Sequence, residues 1–496
     1  MQYDWVSKWA VYSPDKIAFK EHETGRTLTY AQLNRLGNRT AHQLTDFFGI
    51  KKGDRIALLA ENRLEYLLLF VAAQKTGCVL VPLNYRLASD EINHLLFDAK
   101  PGLIISETKY QTTLEATSAY PKIPNRWTFE ELEMFCAQNG EALKDLYFEN
   151  AQIVDDDPIF ILYTTGTTGF PKGALYTHKM LFWNSINTAL SLLVNTESRT
   201  VNVMPPFHTG GWNVLTTPFF HHGGYTCLLK KFDPLSALHI IEKEQVTIFM
   251  GVPTMLKMMS DLPVFESTDF SKMHYLIVGG EPMPIPLIER WQQKGVSVRQ
   301  GYGMTEVGPN LTSLHQKDAM RKRGSIGRPN FYVETKIVDE QGLEVGINEP
   351  GELLLRGPMV TPGYWQKPDD TAKTIVDGWF HTGDSVRQDD EGYLYVVDRI
   401  KNMFISGGEN VYPAEVERVL LSHPLVAEAA VIGVKDEKWG EAGKAFVVKR
   451  QDVKELELVE FCRSKLAKFK VPKSFVFLSE LPKNDTGKID RKALKK

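Results

Sequence analysis

The chain has 496 residues, which is longer than a single hydrophobic core usually organises, so we expect two or more domains. A hydrophobic content of 43% and a charged content of 24% are ordinary for a soluble globular protein. The formal net charge of −3 gives no reason to expect a nucleic-acid or anionic-membrane partner. We therefore expect a multidomain globular protein that binds no nucleic acid.

Cysteine use and hydropathy predict where the protein works. The four cysteines, Cys78, Cys136, Cys227 and Cys462, are far apart and form no CxxC pair, which predicts reduced structural thiols. The first twenty residues mix charged and aromatic side chains, so they contain no signal-peptide core. The longest apolar run, Leu67 to Ala73, is far too short for a membrane span. The sequence predicts a soluble cytoplasmic protein with no integral membrane segment.

The early part of the chain alternates strand and helix patterns. Strands are predicted at Arg55 to Leu59 and Cys78 to Pro82, and a helix from Arg63 to Lys75, ended by Gly77, lies between them. This order and spacing are those of a βαβ unit. Leu103 to Ser106 and Tyr275 to Val278 are further short apolar runs. The alternation predicts an α/β fold with buried parallel sheets.

The last hundred residues have a different pattern, typical of a small α+β domain. The predicted elements are a helix at Ala414 to Ser422, strands at Val426 to Val434 and Ala445 to Lys449, a helix at Glu455 to Leu466 and a strand at Ser474 to Leu478. This segment is long enough for a core of its own. A charged stretch precedes it, so we place the N-terminal domain at 1–397, a hinge at 398–401 and the C-terminal domain at 402–496.

The most specific pattern is YTTGTTGFPKG at residues 163–173, after an apolar strand at 159–162. Its glycines let the backbone approach a ligand, and its threonine hydroxyls and backbone N–H groups are donors for phosphate oxygens. Lys172 adds a mobile positive charge. Because Gly173 follows this lysine, the string is not the GxxxxGK[ST] loop of nucleoside triphosphatases. The candidate phosphate contacts are Thr164, Thr165, Gly166, Thr167, Thr168, Gly169 and Lys172.

This string resembles the signature of the adenylate-forming superfamily, which includes acyl- and aryl-CoA synthetases, peptide adenylation domains and beetle luciferases. Further family motifs follow in order: GGEP at 279–282, GYGMTE at 301–306, GELLLRG at 351–357, GWFHTGD at 378–384, DRIKNMFISGGENVYPAEVE at 398–417 and NDTGKIDR at 484–491. The resemblance covers nearly the whole chain. It implies a large N-terminal multi-subdomain α/β domain and a small mobile C-terminal α+β domain.

The motifs of the large domain suggest a nucleotide site. Gly279 and Gly280, with Glu281 and Pro282 after them, end a strand and leave a flat space where an adenine could stack; Gly301, Tyr302, Gly303 and Met304 place an aromatic ring between glycines. Thr305 can donate to the α-phosphate, and Glu306 is a carboxylate suited to Mg²⁺. Asp384 offers acceptors to a ribose diol. Arg399 would bind the ribose or a phosphate.

The motifs of the small domain suggest the residues of a two-step reaction. The resemblance places Lys488 between the substrate carboxylate and the α-phosphate during adenylation. It places a hinge at Lys401, about which the small domain rotates before the second step. Gly407 and Gly408 would then line a pantetheine tunnel. Trp439 lies where related ligases contact coenzyme A.

The segment MPPFHTGGW, residues 204–212, resembles the acid-pocket segment of the family. His208 is a candidate gate, carboxylate neighbour and catalytic residue. Gly210 and Gly211 would leave space for an aliphatic chain or a ring. Trp212 occupies the position of the gating tryptophan of some long-chain acyl-CoA synthetases. Together with the resemblance of SGGEN at 406–410 to fatty acyl-CoA and succinylbenzoate-CoA ligases, this favours a medium- or long-chain fatty acid, with an aryl or alicyclic acid as the alternative.

The resemblance therefore implies an ATP-dependent, AMP-forming acid–CoA ligase. Its substrates and cofactors would be a carboxylic acid, ATP, Mg²⁺ and coenzyme A, and the chain could form a homodimer. A rival is an adenylation enzyme that loads a carrier protein instead of free coenzyme A. A second rival, a non-catalytic nucleotide-binding protein, is disfavoured by Thr305, Glu306, Asp384, Arg399 and Lys488, which are all present.

Overall fold

The computed structural model describes residues 3–137, 146–164, 171–280, 283–406, 409–436, 439–466, 468–484 and 487–495. The chain divides into two compact units: Met1–Glu334 with Leu355–Phe380, and Thr335–Leu354 with His381–Lys496. The segment 398–401 lies inside the second unit, and a hinge at Lys401 stays a prediction.

The strands are numbered in chain order. They are β1 Ile17–Glu21, β2 Thr27–Thr29, β3 Arg55–Leu59, β4 Val79–Pro82, β5 Leu103–Ser106, β6 Asn125–Thr128, β7 Pro158–Thr164, β8 Lys172–Thr177, β9 Arg199–Asn202, β10 Tyr225–Leu228, β11 Ile248–Gly251, β12 Tyr275–Val278, β13 Val298–Tyr302, β14 Thr312–Ser313, β15 Arg328–Pro329, β16 Glu334–Val338, β17 Gly351–Arg356, β18 Ile375–Val376, β19 Trp379–Gln388, β20 Leu394–Arg399, β21 Phe404–Ser406, β22 Glu409–Val411, β23 Val426–Asp436, β24 Gly440–Lys449 and β25 Ser474–Leu478.

The helices are numbered in the same way. They are α1 Trp5–Tyr12, α2 Tyr30–His42, α3 Leu64–Thr76, α4 Ser89–Ala99, α5 Gln111–Glu115, α6 Phe129–Ala137, α7 His178–Leu192, α8 Thr209–Trp212, α9 Thr216–His221, α10 Pro234–Lys243, α11 Pro253–Ser260, α12 Ile285–Gln293, α13 Pro368–Thr374, α14 Pro413–Leu421, α15 Glu455–Arg463 and α16 Arg491–Leu494. None of the helices in the described ranges is both long and apolar enough to cross a membrane.

The first unit contains three sheets, with strand orders β2-β1-β10-β9, β11-β12-β13-β14-β15 and β6-β5-β3-β4-β7-β8. β3 and β4 are parallel neighbours joined by α3, so the predicted βαβ unit is confirmed. Every residue of α3 is buried, and the helix ends at Gly77 in the left-handed conformation with φ 71°. The charged residues Glu65 and Lys75 are buried in this helix as members of ion pairs. Glycine is the residue that best adopts the left-handed terminal conformation.

The second unit contains the small α+β domain that the sequence predicts. Its sheet has the order β22-β21-β24-β23, with β25 beside β24. Helices α14 and α15 cover this sheet through a core that includes Val416, Leu420, Val431 and Leu458. Strand β24 begins five residues earlier than predicted, because its first half pairs with β23 through the glycine pair Gly433 and Gly443. Helix α15 ends at Arg463, three residues earlier than predicted.

The cysteines are unpaired thiols, as the sequence predicts. Cys78, Cys227 and Cys462 are buried, and Cys136 is half-buried. Burial raises the pKa of the Cys78 and Cys227 thiols to about 12, so neither forms the reactive thiolate near neutral pH. These side chains are structural.

Candidate functional site

The base of the Gly/Thr-rich loop is an antiparallel strand pair in the first unit. β7 and β8 pair from one end to the other, and Thr164 lies opposite Lys172 at the loop end of the pair. The Thr164 hydroxyl donates to the Lys172 carbonyl oxygen at 3.4 Å. The strands thus place the first and last candidate phosphate contacts side by side. The other predicted contacts of this loop, Thr165, Gly166, Thr167, Thr168 and Gly169, lie outside the described residues.

The Glu306 carboxylate lies beside this strand pair. Glu306 follows β13 in a short 3₁₀ turn, Thr305–Val307. Its Oε1 accepts hydrogen bonds from the Thr164 hydroxyl and from the Tyr364 hydroxyl, each at 3.2 Å. Two donors on one oxygen orient the carboxylate towards the loop base. A single oriented carboxylate is suited to Mg²⁺, which takes one or two protein carboxylates and completes its shell with phosphate oxygens and water.

Lys172 has a carboxylate partner that the sequence motifs do not indicate. Its Nζ lies 2.8 Å from Asp370 Oδ1 on α13 and 5.5 Å from the centre of the Tyr364 ring. The ammonium of Lys172 holds the pKa of the Asp370 carboxyl below its ordinary value. The ion pair keeps the lysine at the loop base, because the carboxylate and the ring both attract the same cation.

The segment that carries Tyr364 extends the β7–β8 pair. The Leu175 backbone N–H donates to the Gly363 carbonyl oxygen, and the Trp365 backbone N–H donates to the Gly173 carbonyl oxygen. A β-carbon on Gly363 would lie 2.4 Å from Thr371, so the close approach requires a glycine. Sequence reasoning missed Tyr364 and Asp370. The run Gly363-Tyr364-Trp365, between two family motifs, is a signal that could have identified Tyr364.

The predicted adenine-binding segments lie at one edge of a sheet. β12 and β13 are parallel neighbours, so the glycines that follow β12 and the residues at the end of β13 lie at the same edge. Gly280 has φ +84°, which favours glycine. A β-carbon on Gly303 would lie 2.1 Å from the Pro309 carbonyl oxygen, so this glycine is required by a close backbone approach. Tyr302, Met304 and Thr305 are half-buried at this edge, and Glu281 and Pro282 lie outside the described residues.

The predicted acid-binding segment, residues 204–212, ends in the short helix α8. His208 precedes the first turn and is half-buried, and its ring lies 4.5 Å from that of Phe207. Gly211 does not provide the predicted space, because a β-carbon there would lie 2.3 Å from the Pro205 carbonyl oxygen. Beside Gly210 a β-carbon would come within 3.4 Å of the Met204 side chain. Gly211 therefore serves a close backbone approach, whereas a β-carbon at Gly210 would make only an ordinary contact.

Trp212 lies in an aromatic cluster inside the first unit. It is 2% exposed, and its indole N–H donates to the Pro206 carbonyl oxygen at 2.7 Å. Its ring lies 5.1 Å from Phe160 and 5.5 Å from Phe70. A small apolar cavity beside it is also lined by Leu67, Thr216 and Phe220. The indole therefore forms part of the wall of an apolar space.

In the second unit, Asp384 and Arg399 are bound to each other. They are cross-strand partners in β19 and β20, and Arg399 Nε lies 2.5 Å from Asp384 Oδ1. Asp384 is buried, whereas the Arg399 side chain is half-exposed. The two predicted ribose contacts are thus adjacent, and the arginine fixes the carboxylate. Lys401 follows in an exposed 3₁₀ turn, Ile400–Asn402.

Lys488 lies on an exposed turn of the second unit. Its backbone N–H donates to Asn484 Oδ1 at 3.0 Å, and the Asn484 backbone N–H donates back to the Lys488 carbonyl oxygen at 2.7 Å. Gly487 has φ +83° with open space around it, which fits a tight turn. The turn presents the lysine at the surface.

The predicted coenzyme A contacts also lie in the second unit. Trp439 precedes β24, and the Lys473 ammonium lies 5.0 Å from the centre of its ring. Ser406 pairs with Gly440, so the end of β21 lies beside this tryptophan. Gly407 and Gly408 themselves lie outside the described residues.

Comparisons with known proteins agree with this arrangement of motifs. Residues 6–365 match the AMP-binding enzyme family, and residues 415–488 match the AMP-binding enzyme C-terminal domain. The feruloyl-CoA synthase of an Amycolatopsis species is 38% identical over 487 residues, which cover 98% of this chain and 96% of that protein. A long-chain-fatty-acid–CoA ligase of Mycobacterium tuberculosis is 38% identical over 491 residues, with the same coverage.

A solved structure is also similar to this chain over nearly its whole length. The O-succinylbenzoate coenzyme A synthetase of Bacillus subtilis, in complex with ATP and a magnesium ion, superimposes with a TM-score of 0.87. It is 33% identical, and the match covers 99% of both chains.

Proposed function

Since the chain belongs to the AMP-binding enzyme family, we propose that it is an AMP-forming ligase that joins a medium- or long-chain fatty acid to coenzyme A. The observation that carries the proposal is the arrangement at the loop base. There Thr164 and Lys172 lie opposite each other and Glu306 is oriented between two hydroxyl donors. The solved relative that binds ATP and magnesium ion supports the same two ligands for this chain.

In the first half-reaction, a carboxylate oxygen attacks the α-phosphorus of ATP. The new bond makes a mixed anhydride, and pyrophosphate leaves with the electrons of the broken phosphorus–oxygen bond. Charge accumulates on the phosphate oxygens, so positioned cations stabilise the transition state. We assign Lys172 to the departing phosphates and Lys488 to the oxygens between acid and α-phosphorus. Glu306 would hold Mg²⁺, which neutralises phosphate charge when bound.

In the second half-reaction, the sulfur of coenzyme A attacks the acyl carbonyl carbon. A thioester forms, the thiol gives up its proton, and AMP leaves. The names of the relatives, all acid–CoA ligases, support free coenzyme A over a carrier protein. A contact between coenzyme A and Trp439, a tunnel at Gly407 and Gly408, a homodimer and a cytoplasmic location are parts of the same proposal.

The relative named for long-chain fatty acids supports a fatty acid. The cavity beside Trp212, about 10 Å³, is too small to indicate an acyl tail by itself. An aryl acid is the second candidate, because relatives named for ferulate and 2-succinylbenzoate are about as similar as the fatty-acid ligase. A panel of fatty, aryl and alicyclic acids, assayed by pyrophosphate release with coenzyme A present, separates the two. A ranking headed by an aryl acid would replace the fatty-acid proposal.

The role of Lys488 is tested by separating the half-reactions. Lys488→Ala should lower acid-dependent ATP–pyrophosphate exchange by about 10²–10³, because one positioned cation is lost from the transition state. The variant should still convert a supplied acyl-adenylate to acyl-CoA. Lys495→Ala, in the same C-terminal segment, is the control and should behave as wild type. If no acid of the panel increased the exchange rate above the rate without acid, the ligase function would be contradicted.

Two further variants test the proposal that the small domain rotates between the two half-reactions. Gly408→Leu would fill the proposed tunnel and should spare exchange while slowing thioester formation. Lys401→Pro restricts φ at the predicted hinge and should do the same. Parallel loss of both half-reactions in folded protein would refute the rotation.

A further inference from the structure

We propose that the ion pair between Glu417 and Arg491 is a positioning device for Lys488, which rests on the role proposed for that lysine in adenylation. Arg491 lies three residues beyond Lys488, at the start of α16, and Glu417 lies on α14. The family motifs end at both residues, yet the proposed reaction uses neither side chain.

The segment that carries Lys488 has hydrogen bonds between its own two ends, but its position depends on contacts with other elements. Lys483 and Ile489 form an isolated antiparallel bridge on either side of it, and the Asp490 backbone N–H donates to the Pro482 carbonyl oxygen at 2.8 Å. These bonds fix the shape of the turn. They do not fix its direction relative to the rest of the small domain, which only contacts with other elements can set.

Arg491 supplies such a contact. One guanidinium nitrogen, Nη2, lies 2.6 Å from Glu417 Oε1 and 2.7 Å from Oε2. Charge-assisted bonds of this length are among the stronger polar contacts in proteins. Ile489 adds an apolar contact, because it packs with Leu481 and Leu494 against the sheet. The chain on the C-terminal side of Lys488 is thus held by an ionic contact and by apolar packing.

Glu417 joins three elements at one buried carboxylate. It is 8% exposed, and its Oε1 also accepts a hydrogen bond from the Val431 backbone N–H on β23 at 2.7 Å. Burial is the main reason that the pKa of Glu417 is raised, and the charge of Arg491 opposes that rise. A buried carboxylate without its cation is strongly unfavourable, so the pair holds α14, β23 and α16 in one arrangement.

Helix α14 also connects this pair to the predicted hinge. Asp398 Oδ2 accepts from the Ala414 backbone N–H at 2.7 Å in the first turn of α14. Asp398 Oδ1 accepts from the Arg399 backbone N–H at 2.6 Å and from the Asn402 side-chain amide at 3.2 Å. The start of the helix is therefore tied to residues 398–402. A continuous path of bonds leads from this segment through α14 and Glu417 to the turn of Lys488.

The test measures acid-dependent ATP–pyrophosphate exchange for Arg491→Ala and Glu417→Gln. Each should lower the maximal exchange rate by about 10–100-fold, because a displacement of a reacting group by about 1 Å has that effect. Conversion of a supplied acyl-adenylate to acyl-CoA should stay within about threefold of wild type, since that step does not use Lys488. Arg491→Lys should recover part of the loss, because both contacts come from one nitrogen that an ammonium can replace.

A matched control is available on the same helix. Glu415 Oε1 and Oε2 each lie 2.8 Å from the Lys470 ammonium, so Glu415→Gln also removes an ion pair from α14. In the part of the chain that the structure describes, neither Glu415 nor Lys470 contacts Lys488 or Arg491, so exchange should stay at the wild-type rate. Thermal unfolding of every variant shows whether it is folded at the assay temperature. If Arg491→Ala is unfolded at the assay temperature, the comparison uses Arg491→Lys and Glu417→Gln.

The Lys488→Ala background separates positioning from a merely structural role. If Arg491 acts through Lys488, the double variant should exchange no more slowly than Lys488→Ala alone. A further 10–100-fold loss in the double variant, or equal loss of both half-reactions, would overturn the inference while the function stands. If Lys488→Ala exchanged at the wild-type rate, the proposed role of the lysine would be wrong, and the inference would be wrong with it.

Discussion

The Tyr364 hydroxyl should matter for Mg²⁺ use, although no family motif quoted above includes it. Tyr364→Phe removes one hydroxyl and keeps the ring that lies near the Lys172 ammonium. The lost contacts are the hydrogen bond to Glu306 Oε1 at 3.2 Å and a hydrogen bond with the Thr374 side chain. Thr164 continues to donate to the same oxygen, so the orientation of the carboxylate is weakened but not lost.

The size of the effect follows from the geometry. Hydrogen bonds to charged groups contribute about 1.5–3 kcal/mol, and the best hydroxyl–carboxylate bonds are about 2.5–2.7 Å long. At 3.2 Å the contact belongs at the weak end, so we expect a loss of about 1.4 kcal/mol, which is about tenfold in a rate or affinity. The loss should be the same between about pH 6 and 9, because burial and the Glu306 charge raise the pKa of Tyr364 and the hydroxyl stays protonated.

Acid-dependent ATP–pyrophosphate exchange at varied Mg²⁺ measures this loss. Tyr364→Phe should need about tenfold more Mg²⁺ for half-maximal exchange and approach the wild-type rate at saturation. Tyr225→Phe is the control, because its hydroxyl also donates to a carboxylate, Glu244 Oε2, at 2.7 Å. An unchanged Mg²⁺ requirement in Tyr364→Phe, or an equal change in Tyr225→Phe, would refute the assignment of Glu306 as the metal ligand oriented by Tyr364.

Two further predictions concern the core. Trp212→Ala should cost about 3–5 kcal/mol of stability and change the ranking of acids by chain length, whereas Trp291→Ala, buried in another core, should cost about as much and leave the ranking unchanged. Burial lowers the pKa of His178 to about 4, so the unfolded chain binds more protons below about pH 6.5. The free energy of unfolding should therefore fall by up to about 1.4 kcal/mol per pH unit from about pH 6.5 down to 4. Measured by urea unfolding, the free energy of unfolding should fall less with decreasing pH in His178→Leu than in the wild type. In a variant of the exposed His239 it should fall as much as in the wild type.

Local patterns were sufficient for much of the fold. The predicted bounds of β3, β5, β12 and β25 are those of the structure, because each is a short apolar run whose ends its own sequence sets. The end of α3 was also predictable, since Gly77 adopts the left-handed conformation at its terminus. The family motifs likewise indicated which residue types carry chemistry.

Contacts between distant parts of the chain were not predictable in this way. Asp384 and Arg399 each suggest a ligand contact, but they are cross-strand neighbours and bind each other. Gly211 suggests open space, but it allows a close approach to the Pro205 carbonyl oxygen. In both cases the motif gives the residue type, and the neighbour in space decides what that residue does.

The sequence by itself predicted the βαβ unit of β3, α3 and β4, the element order of the small domain, and the candidate phosphate-loop and catalytic residues, because these predictions depend on residues close together in the chain. Only the tertiary structure decided that Tyr364 donates to Glu306, that Asp370 binds Lys172 and that Glu417 binds Arg491. The partners in each pair are 58 or more residues apart. Their contact depends on strand register and helix packing, which many side chains determine together, so no local pattern contains it.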